Sequence, residues 1–262
     1  MLVIALFLVA VLLLLFAVFP KVRNHKNKKL LVGGLIAHRG LHSETIPENS
    51  LAAFDAAAKK GYIIENDIHL TKDGEVVVFH DDTLKRMCGV DARVEDKTLA
   101  ELKALRLLDT DMQIPTLKEC LDTVDCRVPL LIEFKVSGNT SALCEAADRI
   151  LTEYNGRYMI QSFYPQVLLW YRKNRSCVMR GQLAEPFKGD RIERRMLGMM
   201  LFNFLSRPDF VAYEHTHGKN VMFRLVKLLG ATSLGWTIRS EEELKNAKSR
   251  FDGYIFENFE AK

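Results

Sequence analysis

The triplet His38-Arg39-Gly40 directly follows a short apolar run, Leu35 to Ala37. Glu65 and Asp67 stand two residues apart in "YIIEND", His80 closes "VVVFH", and Glu133 shares "LIEFK" with Lys135. Residues i and i+2 of a strand share a face, so Glu65 and Asp67 point the same way. Three carboxylates gathered in one confined site cannot all stay ionised without a cation. Oxygen-only ligation favours Mg²⁺ or Ca²⁺ over zinc, which makes Glu65, Asp67 and Glu133 candidate metal ligands. His38 and His80 are imidazoles, the side chains suited to general acid–base work near neutral pH. Arg39 and Lys135 supply positive charge for a phosphate. A divalent ion, two imidazoles and two cations around one opening describe phosphodiester cleavage. The cations hold charge developing on the phosphoryl oxygens while one imidazole takes a proton and the other gives one.

These residues need elements that bring them together. Short apolar runs suited to strands covered on both faces occur at 35–38, 62–67, 76–80, 129–135, 157–163, 178–183, 209–213, 232–237 and 253–256. Helical patterns lie between them. "NSLAAFDAAAKKG" has Asn49 or Ser50 as its N-cap and Gly61 as its stop, and "TLKECLDTV" starts after Pro115 with Thr116 as its cap. The rhythm predicts an α/β fold, a (β/α)8 TIM barrel. Nine strand candidates compete for eight places, and "DFVAY" (209–213) is the first suspect for the extra one. The candidate site residues fall at the C-terminal ends of strands, where this architecture carries its chemistry. Between Glu65 and His80 the segment is too short for a crossover helix, and Asp73-Gly74 signals a tight turn. A hairpin centred there places Glu65 opposite His80. Asp81, with Asp82, either caps a turn after His80 or orients His80. Asn49 reads as a cap rather than a ligand, and His42, His69, His215 and His217 as solvated.

Residues 2–19 are 18 apolar residues without a break, spanning roughly 27 Å as a helix. They lack the flanking features of a cleaved signal peptide. A single N-terminal transmembrane helix at 1–20, a basic linker at 21–30 and a catalytic domain at 31–262 are therefore expected. The positive collar at Lys21, Arg23, Lys26, Lys28 and Lys29 would leave the body in the cytoplasm of a single-pass cell-membrane protein. Five cysteines in no recognisable framework agree with a reducing compartment. The collar holds five of the 37 lysines and arginines, leaving 32 against 33 acids in the rest, a balance that argues against nucleic acid as a partner. The run Met196 to Leu205, flanked by Arg191, Arg194, Arg195 and Arg207, is too short to span a bilayer and suits a helix in the membrane interface, with membrane lipid as partner.

The motifs "AHRG", "PENS", "GYIIENDIHLTKDGEVVVFHDDTL", "LIEFK", "IQSF", "LGWTI" and "FDGYIF" resemble those of the glycerophosphodiester phosphodiesterases over about residues 35 to 256. The resemblance implies a TIM barrel that hydrolyses glycerophosphodiesters to glycerol 3-phosphate and an alcohol. It implies a divalent cation on Glu65, Asp67 and Glu133, catalysis by His38 and His80, and phosphate contacts from Arg39 and Lys135. Trp236 is expected beside the glycerol moiety. By analogy with phospholipases C, a neighbouring substrate hydroxyl attacks to give a cyclic phosphate that water opens. The last strand departs from the family's frequent "TD-x-P" ending, reading "FENFEAK", which leaves any contact made there open. The alternatives are a lysophospholipase D working on lysophospholipids with the same site, and a catalytically silent barrel that binds phospholipid headgroups.

Overall fold

The computed structural model describes residues 1–21, 27–186 and 192–262. Eight parallel strands close into a barrel: β1 (Leu35–Ala37), β2 (Ile63–Leu70), β4 (Leu130–Phe134), β5 (Tyr158–Ser162), β6 (Met179–Ala184), β7 (Phe210–Glu214), β8 (Thr232–Ile238) and β9 (Gly253–Phe256). Their order is β1-β9-β8-β7-β6-β5-β4-β2, and β1 pairs with β2 to complete the circle. The ninth candidate is β3 (Val76–Val78), which pairs antiparallel with the outer part of β2. The extra strand is therefore β3, and "DFVAY", suspected as peripheral, is the barrel strand β7 between β6 and β8. Continuous apolar character could not separate them, because all three residues of β3 are as fully buried as those of a barrel stave.

The hairpin forms at the Asp73-Gly74 turn, but one residue out of the expected register. Ile68 pairs with Val78 and Leu70 with Val76, so Glu65 does not face His80. The ladder stops at Ile68, and Phe79 N–H then donates to Asp67 O at 2.9 Å, bringing the chain back to the barrel mouth.

Alternation along each stave divides the core. Ile36, Ile63, Leu131, Met159, Leu234 and Ile255 belong to a cluster that fills the barrel. Ile64, Ile68, Leu130, Ile132 and Ile160 pack outward under the helices. Two residues beyond the inward set, on the same face, come His38, Glu65, Glu133, Gln161, Trp236 and Glu257. The inside of the barrel thus changes from hydrocarbon to polar in one step toward its C-terminal mouth. Outside, helix Leu51–Lys59 is capped by Ser50, whose side chain accepts from Ala53 N–H, and helix Leu117–Val124 by a Thr116–Glu119 capping box.

The expected membrane-spanning anchor is not supported. The apolar run forms a 17-residue helix, Leu2–Val18, and among the described residues no helix is long and apolar enough to cross a membrane. It ends because Phe19, preceding Pro20, takes extended backbone. Its last turn is bound to the barrel. Val18 is buried and its carbonyl accepts from Asn203 Nδ2 at 3.1 Å. Arg207 donates to Phe19 O at 2.8 Å and lies 4.9 Å from the Phe16 ring centroid, and Lys21 Nζ sits 3.2 Å from Asp209. The reading as a single-pass cell-membrane protein with a cytoplasmic body falls with it. Arg23 and Lys26 of the collar, and Arg191, lie outside the described residues. The run Met196 to Leu205 is not one interfacial helix. It breaks into Ile192–Gly198 and Asn203–Ser206, with Met200, Asn203 and Ser206 buried and Phe204 against Phe16 at 5.9 Å.

Arg39 and Gly40 take left-handed backbone, with φ of 56° and 81°. A Cβ at Gly40 would lie 2.8 Å from the Ala53 backbone carbon, so helix Leu51–Lys59 approaches the loop after β1 as closely as glycine allows. Gly40→Ala is expected to cost about 1–3 kcal/mol, seen as a lower Tm in calorimetry. Activity should fall with it, because the loop that carries His38 and Arg39 must shift.

Candidate active site

Parallel pairing sets the carboxylates side by side. Asp67 is in register with Glu133, and Glu133 with Gln161. One carboxylate oxygen from each of Glu65, Asp67 and Glu133 lies within 4.8 Å of the others, and all three residues are buried. Hard oxygen donors at that separation fit a single Mg²⁺ or Ca²⁺, whose bonds to oxygen run from about 2.0 to 2.6 Å. Around them stand the cations. Arg39 backbone N–H donates to Glu65 Oε2 at 3.0 Å, and its Nε lies 3.6 Å from Asp67 Oδ2. Lys135 Nζ is 3.1 Å from Asp67 Oδ1 and 2.5 Å from Glu133 Oε1. Lys135, expected on a phosphate, is thus also a partner of the carboxylates.

The charges sort themselves. Burial, then the neighbouring Asp67 and Glu133, push the Glu65 carboxyl well above its ordinary range. Burial also raises Glu133, although Lys135 opposes this. Asp67 goes the other way: burial alone would raise it, but Lys135, His80, Arg39 and His38 together hold it low. Two fixed cations keep one carboxylate ionised. A divalent ion bound by all three would offset the like-charge repulsion that raises the other two.

Both histidines reach this centre. His38 follows β1 and lines the mouth; its Nδ1 meets Glu257 Oε2 at 2.5 Å. Burial lowers its basicity, with Glu257 opposing. His80 Nδ1 meets Asp81 Oδ1 at 2.6 Å, so of the two readings of Asp81 it is the orienting one that has a bond behind it. Asp81 is gripped by Arg86 through Nε at 2.6 Å and Nη2 at 2.9 Å. Although partial burial opposes it, Arg86 and His80 hold Asp81 at about 2. Arg86 also binds Glu48, and Glu48 binds Arg39 Nη1 at 2.7 Å. A chain of alternating charges therefore links Arg39 to His80.

Trp236 lines the same cavity of about 390 Å³, edge-on to Phe163 at 5.7 Å, with Leu183 beside them. Of the expected site residues, Asp67 alone is absent from the cavity wall; it is fully buried behind Arg39, Lys135 and Asn49. Several participants escape sequence reading. Asn49 is not the helix cap; its Nδ2 donates to Asp67 Oδ2 at 2.9 Å. His69, expected in solvent, is buried with Nε2 3.3 Å from His80 O, and His215 is nearly buried 3.5 Å from Glu243. His42 lines the cavity 3.8 Å from Glu257. For Asn49 the available signal was its place between Pro47-Glu48 and Ser50, with Ser50 free to cap.

A barrel whose C-terminal mouth joins an acidic triad, two imidazoles and cations has the makings of a phosphodiester hydrolase. The family model for the glycerophosphoryl diester phosphodiesterase family matches residues 38–258. A glycerophosphodiester phosphodiesterase of Caldanaerobacter subterraneus is 30% identical over 243 residues, covering 84% of this chain and 92% of that protein. A human lysophospholipase D is 32% identical over 154 residues, 54% of this chain and 48% of its own length; the chain spans about half of that relative. Among solved structures, an Oleispira antarctica phosphodiesterase in complex with the product sn-glycerol-3-phosphate superposes with a TM-score of 0.72 at 25% identity, covering 86% of this chain and 93% of that one. The chain belongs to the glycerophosphoryl diester phosphodiesterase family, and it is a phosphoric diester hydrolase of that type.

The donor set predicts that Mg²⁺ or Ca²⁺ raises the Tm, because an ion that binds only the folded state stabilises it. Binding should weaken as pH falls, since burial raises Glu65 and Glu133 and the ion competes with protons for their carboxylates. Glu65→Gln should remove most of the Tm increase while leaving the ion-free fold intact. An undiminished increase in this variant would show that Glu65 is not a ligand.

Proposed function

We propose that this protein hydrolyses glycerophosphodiesters to glycerol 3-phosphate and an alcohol with the help of a divalent cation held by Glu65, Asp67 and Glu133. The observation that carries this reading is the convergence of three buried carboxylates within 4.8 Å of one another at a mouth also lined by His38, His80 and Arg39. When bound, the ion supplies Lewis-acid stabilisation of charge on the phosphoryl oxygens. Arg39 and Lys135 add positive charge on the same group. His38, neutral at pH 7 because burial lowers its basicity, takes the proton of the substrate hydroxyl next to the phosphodiester. That oxygen attacks phosphorus and the P–O bond to the alcohol breaks. His80, with Asp81 behind it, gives the leaving oxygen its proton. Water then opens the cyclic phosphate with the two imidazoles in exchanged roles. Trp236, Phe163 and Leu183 form the apolar wall against which the glycerol carbons rest.

A second reading is lysophospholipase D activity. It is favoured by an open groove of about 900 Å³ that shares His42 and Asn258 with the catalytic cavity and carries Leu41, Ile46, Ala56 and Phe259, which suits one acyl chain. Action at a lipid surface and contact with membrane lipid belong to this reading. The exposed apolar side chains of helix Leu2–Val18 are compatible with such contact without any crossing segment.

Incubation with glycerophosphocholine and with lysophosphatidylcholine, each with and without chelator, separates the readings. The first predicts glycerol 3-phosphate and choline from glycerophosphocholine, abolished by chelator. Turnover of the lysolipid alone would favour the second, and turnover of neither would point to a silent barrel. His80→Ala is expected to lower kcat at least roughly a hundredfold; a loss below tenfold would contradict proton transfer by His80. The acid limb of kcat/KM at saturating metal should fall below pH 6.5, because the group that must be neutral, His38, has its basicity lowered by burial. A pH-rate titration checks the limb's position.

A further inference from the structure

Three neighbouring staves end in a row of interacting side chains. Ala37 of β1 pairs with Phe256 of β9, and Phe256 pairs with Ile238 of β8. The next residue of each strand is His38, Glu257 and Arg239. His38 N–H donates to Phe256 O at 2.9 Å and Glu257 N–H to Ile238 O at 3.0 Å, so the backbone register itself sets these three side by side. Glu257 spans the row: Oε2 meets His38 Nδ1 at 2.5 Å, and Oε1 accepts from Arg239 Nε at 2.8 Å. Arg239 is held in turn, its backbone N–H donating to Glu243 Oε2 at 2.7 Å. The His38 and Glu257 side chains are only 13% and 12% exposed.

We propose that Glu257, clamped by Arg239, is a positioning residue for His38. This rests on the reading that His38 moves a proton. The carboxylate accepts from Nδ1–H, which fixes one tautomer and leaves the Nε2 lone pair as the base directed away from Glu257. Once Nε2 has taken a proton, the same carboxylate faces an imidazolium and stabilises it. Glu257 stays ionised throughout. Burial would raise it, but His38, His42 and Arg239 hold it well below its ordinary range. Asp81 and Arg86 repeat the device on His80. Each imidazole thus has its own carboxylate and its own arginine. Nothing in the apolar strand pattern announces this, and the "FENFEAK" ending finds its use in Glu257.

The test uses the full-length protein with saturating Mg²⁺. Glu257→Gln keeps the size of the side chain and removes its charge. It is expected to lower kcat for glycerophosphocholine about a hundredfold or more while KM and the metal-induced Tm increase stay close to wild type. Turnover within threefold of wild type would overturn the proposal, as would a loss of kcat accompanied by loss of the metal-induced Tm increase. A second readout is independent of substrate. ¹⁵N NMR of histidine-labelled protein, with the His38 resonance identified from its absence in His38→Gln, should show protonated Nδ1 and unprotonated Nε2 in the wild type. A neutral His38 protonated on Nε2 would overturn the proposal even if Glu257→Gln fails to fold. Failure to turn over glycerophosphocholine, with Nδ1–H observed on His38, would sink the functional reading and leave the Glu257 assignment standing.

Discussion

The structure is organised around a charge problem. Glu65, Asp67 and Glu133 are buried together within 4.8 Å, and Arg39 and Lys135 stand close enough to compensate them in part. Removing a carboxylate from water costs several kcal/mol even after relaxation, so three in contact are tolerable only if protons or a cation remove the excess. The fold meets this cost with rigid means. The three groups sit on hydrogen-bonded staves, with Asp67 and Glu133 in direct register, so they cannot relax apart without breaking the barrel. Under the proposed metal reading, a site built this way exchanges stability of the ion-free protein for preorganisation toward a divalent ion.

The ring of charges outside the triad has a different character. Arg86 is about half exposed, and an isolated ion pair there would be worth little. Its value lies in connection. One guanidinium holds both Glu48 and Asp81, so Arg39 and His80 are positioned by the same group. The short helix Lys85–Cys88 that carries Arg86 belongs to a small separate core with Val77, Phe79, Leu84 and Ile114, built by the insert between β3 and helix Leu117–Val124. This insert therefore has a task at the mouth: it brings in from outside the barrel the cation that holds Asp81, the carboxylate bonded to His80.

The fold class and the acidic triad were legible because each leaves a local mark. Alternation of apolar runs with helical patterns marks the barrel, and a charge inside an otherwise apolar stave marks the site. What was not legible depended on register or on partners distant in sequence. The hairpin turn could be read at Asp73-Gly74, yet a slip of one residue moved the facing pairs, because nothing in "LTKDGEV" distinguishes the two registers before the strands pack. β3 and β7 were exchanged because a buried hairpin strand and a buried parallel strand have the same apolar composition. Glu257 lies 219 residues from His38 and looks like an ordinary chain-terminal acid until the barrel closes. The apolar run Leu2 to Phe19 misled for a reason of the same kind. Hydropathy reads length and composition, but not that Phe16 to Lys21 are engaged by Arg207, Asn203 and Asp209, nearly two hundred residues away.

Discrimination between substrates falls outside the catalytic centre. Every phosphodiester presents the same group to the carboxylates, imidazoles and cations, so these cannot tell a water-soluble diester from a lysolipid. On the lysophospholipase D reading proposed above, that task falls to the groove beyond His42 and Asn258. Each methylene removed from water contributes about 0.8 kcal/mol. Six methylenes of an acyl chain lying along Leu41, Ile46 and Phe259 would thus contribute about 5 kcal/mol of binding that a soluble diester lacks. Lys59 and Lys60 edge the same groove, and Lys60 is paired with Glu260 at 2.9 Å, so its rim is charged while its floor is apolar. That division suits a chain entering from a surface better than one arriving free in solution, whose micelle or carrier would have to give it up first. If the groove fills, the two proposed roles are separable by substitution: apolar changes at Leu41 and Phe259 are expected to appear in KM, changes at His38, His80 and Glu257 in kcat.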